Sequence, residues 1–103
     1  MSNVPTPQMY SKFAFEVGGK VQGVSFRAYT KSHAKRLGLV GWVMNTTQGT
    51  VVGECQGEGD SCKSMKNWLE TQGSPASRIA WCKFKNETDL LPKLQYVEFK
   101  IRK

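Results

Sequence analysis

At 103 residues the chain is long enough for one domain and one modest core. Hydrophobic residues make up 39%, so it should fold, and a net charge of +7 favours acidic partners: phosphate compounds, nucleic acid or anionic surfaces. No apolar run nears the length of a transmembrane helix, and three cysteines with one histidine match neither a disulfide framework nor a zinc site.

Met1–Gln8 holds two prolines and no apolar core, unlike a signal peptide, and residues 1–9 are expected to form a disordered leader to a single domain over 10–103. From Tyr10 to Val17 the pattern alternates, with Phe13, Phe15 and Val17 on one face and Lys12, Ala14 and Glu16 on the other. This reads as a half-buried strand that Gly18 and Gly19 end. Phe26, Tyr29, Thr30, His33, Ala34 and Leu37 then recur at helical spacing and should face inward. Lys31, Lys35 and Arg36 should lie mostly outward, and Gly38 stops the helix.

The turn joining these two elements, Gly19-Lys20-Val21-Gln22-Gly23-Val24-Ser25-Phe26-Arg27, carries the first functional signal. A glycine-bearing strand-to-helix turn gathers backbone N–H groups at the positive end of a helix dipole, which makes an anion site. Ser25 reads as the N-cap, so Arg27 falls in the first helical turn. A cation is disfavoured there by about 0.3–1 kcal/mol, and a bound anion would compensate. The plainer reading is a solvated arginine beside a turn glycine. Against it, the next carboxylate after Glu16 is Glu54, and the interval holds Lys20, Arg27, Lys31, Lys35 and Arg36. A field of one sign steers anions and offers no carboxylate as base or metal ligand.

Leu39–Asn45 is apolar and β-prone, Thr46–Gly49 is a turn with Gly49 at positive φ, and Thr50–Gln56 is the returning strand. After the Gly57–Gly59 loop, Asp60 or Ser61 should cap a second helix buried through Cys62, Met65, Trp68 and Leu69 and ended by Gly73. Arg78–Lys85 is expected as a strand around Ile79, Trp81 and Phe84, Asn86–Pro92 as a polar loop, and Tyr96–Ile101 as a last strand with Val97, Phe99 and Ile101 on one face.

The order is β-α-β-β-α-β with an added C-terminal strand. That is the α+β, ferredoxin-like sandwich, with two helices on one face of a largely antiparallel sheet. Asn45 stands at a strand end beside a turn, a common place for asparagine. Its amide could also hold a water by the carbonyl while donating to an oxygen, and this plan permits that strand end to approach the glycine turn. His33, Tyr29, Trp42 and Cys62 read as packing residues. Three free thiols in a reducing, cytoplasmic setting is the plain reading, with one disulfide and one free thiol as the alternative.

Two stretches resemble the acylphosphatase family. Gly19–Arg27 fits the form G-x-V-Q-G-V-x-[FY]-R, and Gly41–Val51 fits G-[FYW]-V-x-N-x-x-x-G-x-V. The resemblance runs from about Tyr10 to the C-terminus, through Met65, Trp68, Leu69, Gly73-Ser74-Pro75 and Arg78-Ile79, and is to the common small animal form. It implies metal-independent hydrolysis of acyl phosphates to carboxylate and inorganic phosphate, with no cofactor, nucleic acid or membrane; a monomer is the default expectation, since nothing in the sequence suggests an oligomer. It further implies that the backbone of Gln22, Gly23, Val24, Ser25, Phe26 and Arg27 wraps the phosphoryl oxygens, that the Arg27 guanidinium binds them, and that Asn45 positions the attacking water. Position 25 is Ser or Cys among relatives, so Ser25 is expected as a cap rather than a nucleophile.

The main rival is a nucleic-acid-binding module of the same βαββαβ order. Such modules stack bases on third-strand aromatics, and Thr50–Gln56 has none and carries Glu54. A P-loop fails because no Lys-Ser/Thr follows the glycines. An inactive interaction protein on this fold would not need both Arg27 and Asn45.

Overall fold

The computed structural model describes residues 8–103. Most of the expected leader, residues 1–7, lies outside the described residues, and Gln8 and Met9 are exposed ahead of the first strand. The elements are β1 (Tyr10–Lys20), α1 (Phe26–Arg36), β2 (Val40–Asn45), β3 (Val51–Gly57), α2 (Gly59–Thr71), β4 (Arg78–Leu91) and β5 (Phe99–Ile101). They form a five-stranded sheet in the order β4-β1-β3-β2-β5. All neighbours are antiparallel except β5, which runs parallel to β2.

Both helices cover the sheet face that carries Phe13, Phe15 and Val17. Phe26 and Ala34 of α1 and Cys62, Met65, Trp68 and Leu69 of α2 meet these residues, Val43, Val51 and Cys55 in one core. A fully buried phenylalanine or methionine there contributes roughly 1.5–3 kcal/mol over leaving it in water. The α+β sandwich is therefore the expected one, because period-2 and period-3.6 apolar patterns bury one face each.

The C-terminus of α1 follows the sequence closely. Gly38 adopts φ +74°, its N–H donates to Lys35 O at 3.0 Å, and Leu39 N–H donates to Ala34 O at 2.9 Å. These paired bonds satisfy the last carbonyls and turn the chain into β2.

Several boundaries differ from expectation. β1 does not end at Gly18 but runs to Lys20, because the Trp81 indole lies over Gly18 and takes the space of a side chain. The segment 86–92, expected as a loop, continues β4 to Leu91, pairing Thr88 with Lys12 and Leu91 with Tyr10 across register shifts. Asn86 takes φ +55° within this irregular stretch, a conformation asparagine tolerates. Ser11 Oγ then donates to Asp89 Oδ1 at 2.7 Å, and Lys66 pairs with Glu87. The segment reads as polar because it is an exposed edge, yet the long β1 supplies a partner.

At the other edge β5 is only Phe99–Ile101, and Val97 is 95% exposed rather than inward. The chain joins β2 late, through Gly41 N–H donating to Glu98 O at 3.0 Å. α2 begins at Gly59 with Glu58 at the N-cap, not Asp60 or Ser61, so Asp60 lies in the first turn where the dipole favours it. On α1 the buried stripe is Phe26, Thr30 and Ala34, which leaves Tyr29 at its margin and 46% exposed.

Gly41, within the second motif, has φ +141°, and a Cβ there would strike the Glu54 carbonyl of β3. Gly41→Ala is therefore expected to lower the unfolding free energy by about 3 kcal/mol, combining backbone strain with a backbone clash. Urea unfolding checks this, and a midpoint unchanged from wild type would contradict it.

Candidate active site

The turn after β1 is built from two left-handed residues. Gly23 has φ +72° with open space around it, so glycine serves conformation there rather than clearance. Ser25 has φ 61° and ψ 23°, which for a residue with a side chain costs roughly 1–2 kcal/mol. Ser25 does occupy the N-cap position, but its side chain makes no capping hydrogen bond; the first helical bond is Tyr29 N–H to Ser25 O at 3.1 Å. Ser25 is thus the N-cap by position, and left-handed backbone geometry rather than a side-chain bond starts the helix. Such strain persists only where surrounding structure holds it, most often at functional sites.

This geometry leaves donors free. Among the described residues, no backbone N–H from Gln22 to Ala28 donates to another backbone group. The first turn of α1 also contains no acidic residue. Uncommitted N–H groups at a helix N-terminus form an anion cradle.

A cleft of about 350 Å³ opens over this turn, lined by Val21, Gly23, Ser25, Phe26, Arg27, Ala28, Asn45 and Ile101. Of the candidate residues, it brings together Gly23, Ser25, Phe26, Arg27 and Asn45. Gln22 and Val24 are not on its wall: Val24 packs against the core, and the Gln22 side chain reaches the hairpin at 46–50. Asn45 is the last residue of β2 and pairs with Val51. Its Oδ1 is buried and has no hydrogen-bond partner among the described residues. Arg27 is half-buried and forms no salt bridge among them.

The cleft wall has no Asp, Glu, His or Cys. No group of three or more such residues suited to a metal occurs among the described residues. His33 lines a separate, larger cleft with Trp68 and Arg36, stacked on the Trp68 ring at 5.0 Å. Burial, with Arg36 nearby, lowers its pKa, so the imidazole is neutral at pH 7. The three cysteines are free. Burial raises the Cys55 thiol pKa and lifts those of Cys62 and Cys82 to about 11, so all three are protonated and poor nucleophiles at neutral pH.

Three wall residues were not singled out in the sequence. Val21 and Ala28 flank candidate residues, and neighbourhood alone could have flagged them. Ile101 arrives from the C-terminal strand, and only the parallel pairing of β5 with β2 brings it there.

The chain is similar to known proteins over most of its length. Residues 13–101 match the model of the acylphosphatase family. The chain is 50% identical over 97 residues to acylphosphatase-2 of Homo sapiens, covering 94% of this chain and 97% of that one. It is 52% identical over 89 residues to acylphosphatase-1 of Gallus gallus, covering 86% and 89%. Among solved structures, an acylphosphatase from Coxiella burnetii superposes with a TM-score of 0.81 at 32% identity, covering 91% of this chain and 94% of that one. With a family match across nearly the whole folded region and relatives at half identity over most of their length, the chain belongs to the acylphosphatase family and is a hydrolase of acyl phosphates.

Proposed function

We propose that the cleft over the β1–α1 turn is where an acyl phosphate is hydrolysed, with the backbone N–H groups of Gln22–Arg27 and the Arg27 guanidinium holding the phosphoryl oxygens and Asn45 orienting water. The observation that carries this is the convergence of free N–H donors, Arg27 and an unpartnered Asn45 amide in one cleft without a carboxylate. Phosphoryl transfer asks mainly for positioning and charge stabilisation, which preorganised donors supply. Arginine's planar fork matches two phosphate oxygens where lysine offers a point charge.

Water attacks phosphorus as the bond from phosphorus to the acyl oxygen breaks, and that bond's electron pair leaves on the carboxylate. No residue on the cleft wall can take the water's proton, so a phosphoryl oxygen accepts it. The leaving carboxylate is a weak base and needs no acid to assist it. Ser25 supports the turn and is not a nucleophile.

The working state we infer is a monomer in the cytoplasm, with acyl phosphate and inorganic phosphate as ligands and neither nucleic acid nor membrane as partner. Free cysteines support the compartment. Among the described residues, no helix is long and apolar enough to cross a membrane. The nucleic-acid reading has little support on β3, where Glu54 is tied to Gln56 and Tyr96 and no aromatic is present. The test is turnover of benzoyl phosphate at neutral pH. Excess EDTA is expected to leave that rate unchanged within error, and a loss restored by added divalent metal would reject the metal-free reading.

A further inference from the structure

The two halves of this site stand on strands that do not pair. The phosphate-binding turn leaves β1 and Asn45 ends β2, and β3 lies between them in the sheet. The sheet sets Val17, Val51 and Asn45 in one row through β3, but no ladder hydrogen bond ties the turn beyond β1, with Arg27, to Asn45. From the turn itself, the Gln22 side chain crosses to the hairpin. Gln22 Nε2 donates to Thr46 O at 2.9 Å and to Thr50 O at 2.8 Å, gripping both sides of the β2–β3 hairpin mouth.

That mouth is itself braced. Thr46 N–H donates to Thr50 O at 2.9 Å, the two threonine hydroxyls lie 2.7 Å apart, and Thr50 Oγ1 donates to Glu16 Oε2 at 2.7 Å. Gln22 thus couples the first residue of the turn to a rigid point next to Asn45. A terminal amide fits this task because one nitrogen carries two N–H donors for two carbonyls. Leucine offers none, and a carboxylate would oppose both.

We propose that the Gln22 side chain is a positioning residue: it fixes the spacing between the phosphate cradle and the water-orienting Asn45, apart from whatever its backbone N–H contributes. This rests on the reading of the cleft given above. Losing the strut should leave the cradle and Arg27 together, since both belong to one turn, but let Asn45 drift from the phosphorus.

The experiment compares wild type, Arg27→Ala, Gln22→Leu and Gln22→Glu with benzoyl phosphate, using inorganic phosphate as competitive inhibitor and urea unfolding as the fold check. For Gln22→Leu, kcat is expected to fall roughly 10–100-fold, the range for a misplaced reacting group, while the phosphate inhibition constant moves less than about threefold. For Gln22→Glu, the two carbonyls raise the carboxyl pKa, and protonation restores one O–H donor. Its kcat relative to wild type should therefore climb as pH falls through that raised pKa.

A folded Gln22→Leu with kcat within roughly twofold of wild type overturns the proposal, as does an equal loss in kcat and phosphate affinity, since a positioning error acts on the reacting geometry. If Gln22→Leu does not fold, the Gln22→Glu profile decides, and a flat ratio across pH overturns it. Failure of the site reading itself appears separately, as an inert wild type or a fully active Arg27→Ala.

Discussion

Arg27→Ala is expected to lower kcat/KM for benzoyl phosphate by roughly 10³-fold or more, in line with other arginines that stabilise phosphoryl charge. Stability should not fall with it. Arg27 lies in the first turn of α1, makes no salt bridge among the described residues and faces the positive end of the helix dipole. Removing a cation from that position is neutral or favourable by about 0.3–1 kcal/mol. The signature is thus an enzyme that is nearly inactive yet at least as resistant to urea as wild type. Arg27→Lys should recover only part of the loss, since an ammonium cannot match two oxygens at once. A folded Arg27→Ala within tenfold of wild type, roughly 1.4 kcal/mol of barrier, would sink the assignment.

Asn45→Ala should divide the kinetic constants differently. A loss of roughly 10²–10³-fold in kcat is expected, the scale for one preorganised polar group acting on the transition state, with phosphate inhibition nearly unchanged. The reason is that Asn45 comes from β2, whereas the groups assigned to phosphate all come from the turn into α1. Its Oδ1 is buried with no partner, a state that costs about 1–3 kcal/mol. Alanine removes that cost, so the variant should unfold at equal or higher urea concentration. Equal losses in kcat and phosphate affinity would refute a role confined to water. Both variants together would mark a site where a cation at a helix N-terminus, Arg27, and an unpartnered buried amide oxygen, Asn45 Oδ1, are retained for chemistry at the expense of stability.

Much of the molecule is legible along the chain. Phe13, Phe15 and Val17 alternate and are buried, and Cys62, Met65, Trp68 and Leu69 recur at helical spacing and are buried. Gly23, Gly38, Gly49 and Gly73 all take positive φ at turns or helix ends. The turn from Gly19 to Arg27 signals an anion site by residue type alone, because the strand, the glycine, the helix start and the arginine are contiguous. What misled was the polar run 86–92. The second half of this edge strand is mostly exposed and shows no apolar alternation, and its hydrogen bonds come from β1. Capping was misread for a related reason. Asp60 and Ser61 are good caps by type, but helix entry is set by where β3 ends, at Gly57, and not by propensity.

The element order, most core positions, the helix stops and the positive-φ glycine turn are legible in the chain alone, since each depends on periodicity or backbone preference within a few residues. The tertiary structure alone decided that Asn45 and Ile101 share a cleft with Arg27, that Gln22 turns its amide to the hairpin, and that β4 runs on to Leu91. These depend on which strands become neighbours in the sheet. That choice is made by many weak contacts summed over the whole core, and no single segment carries its record.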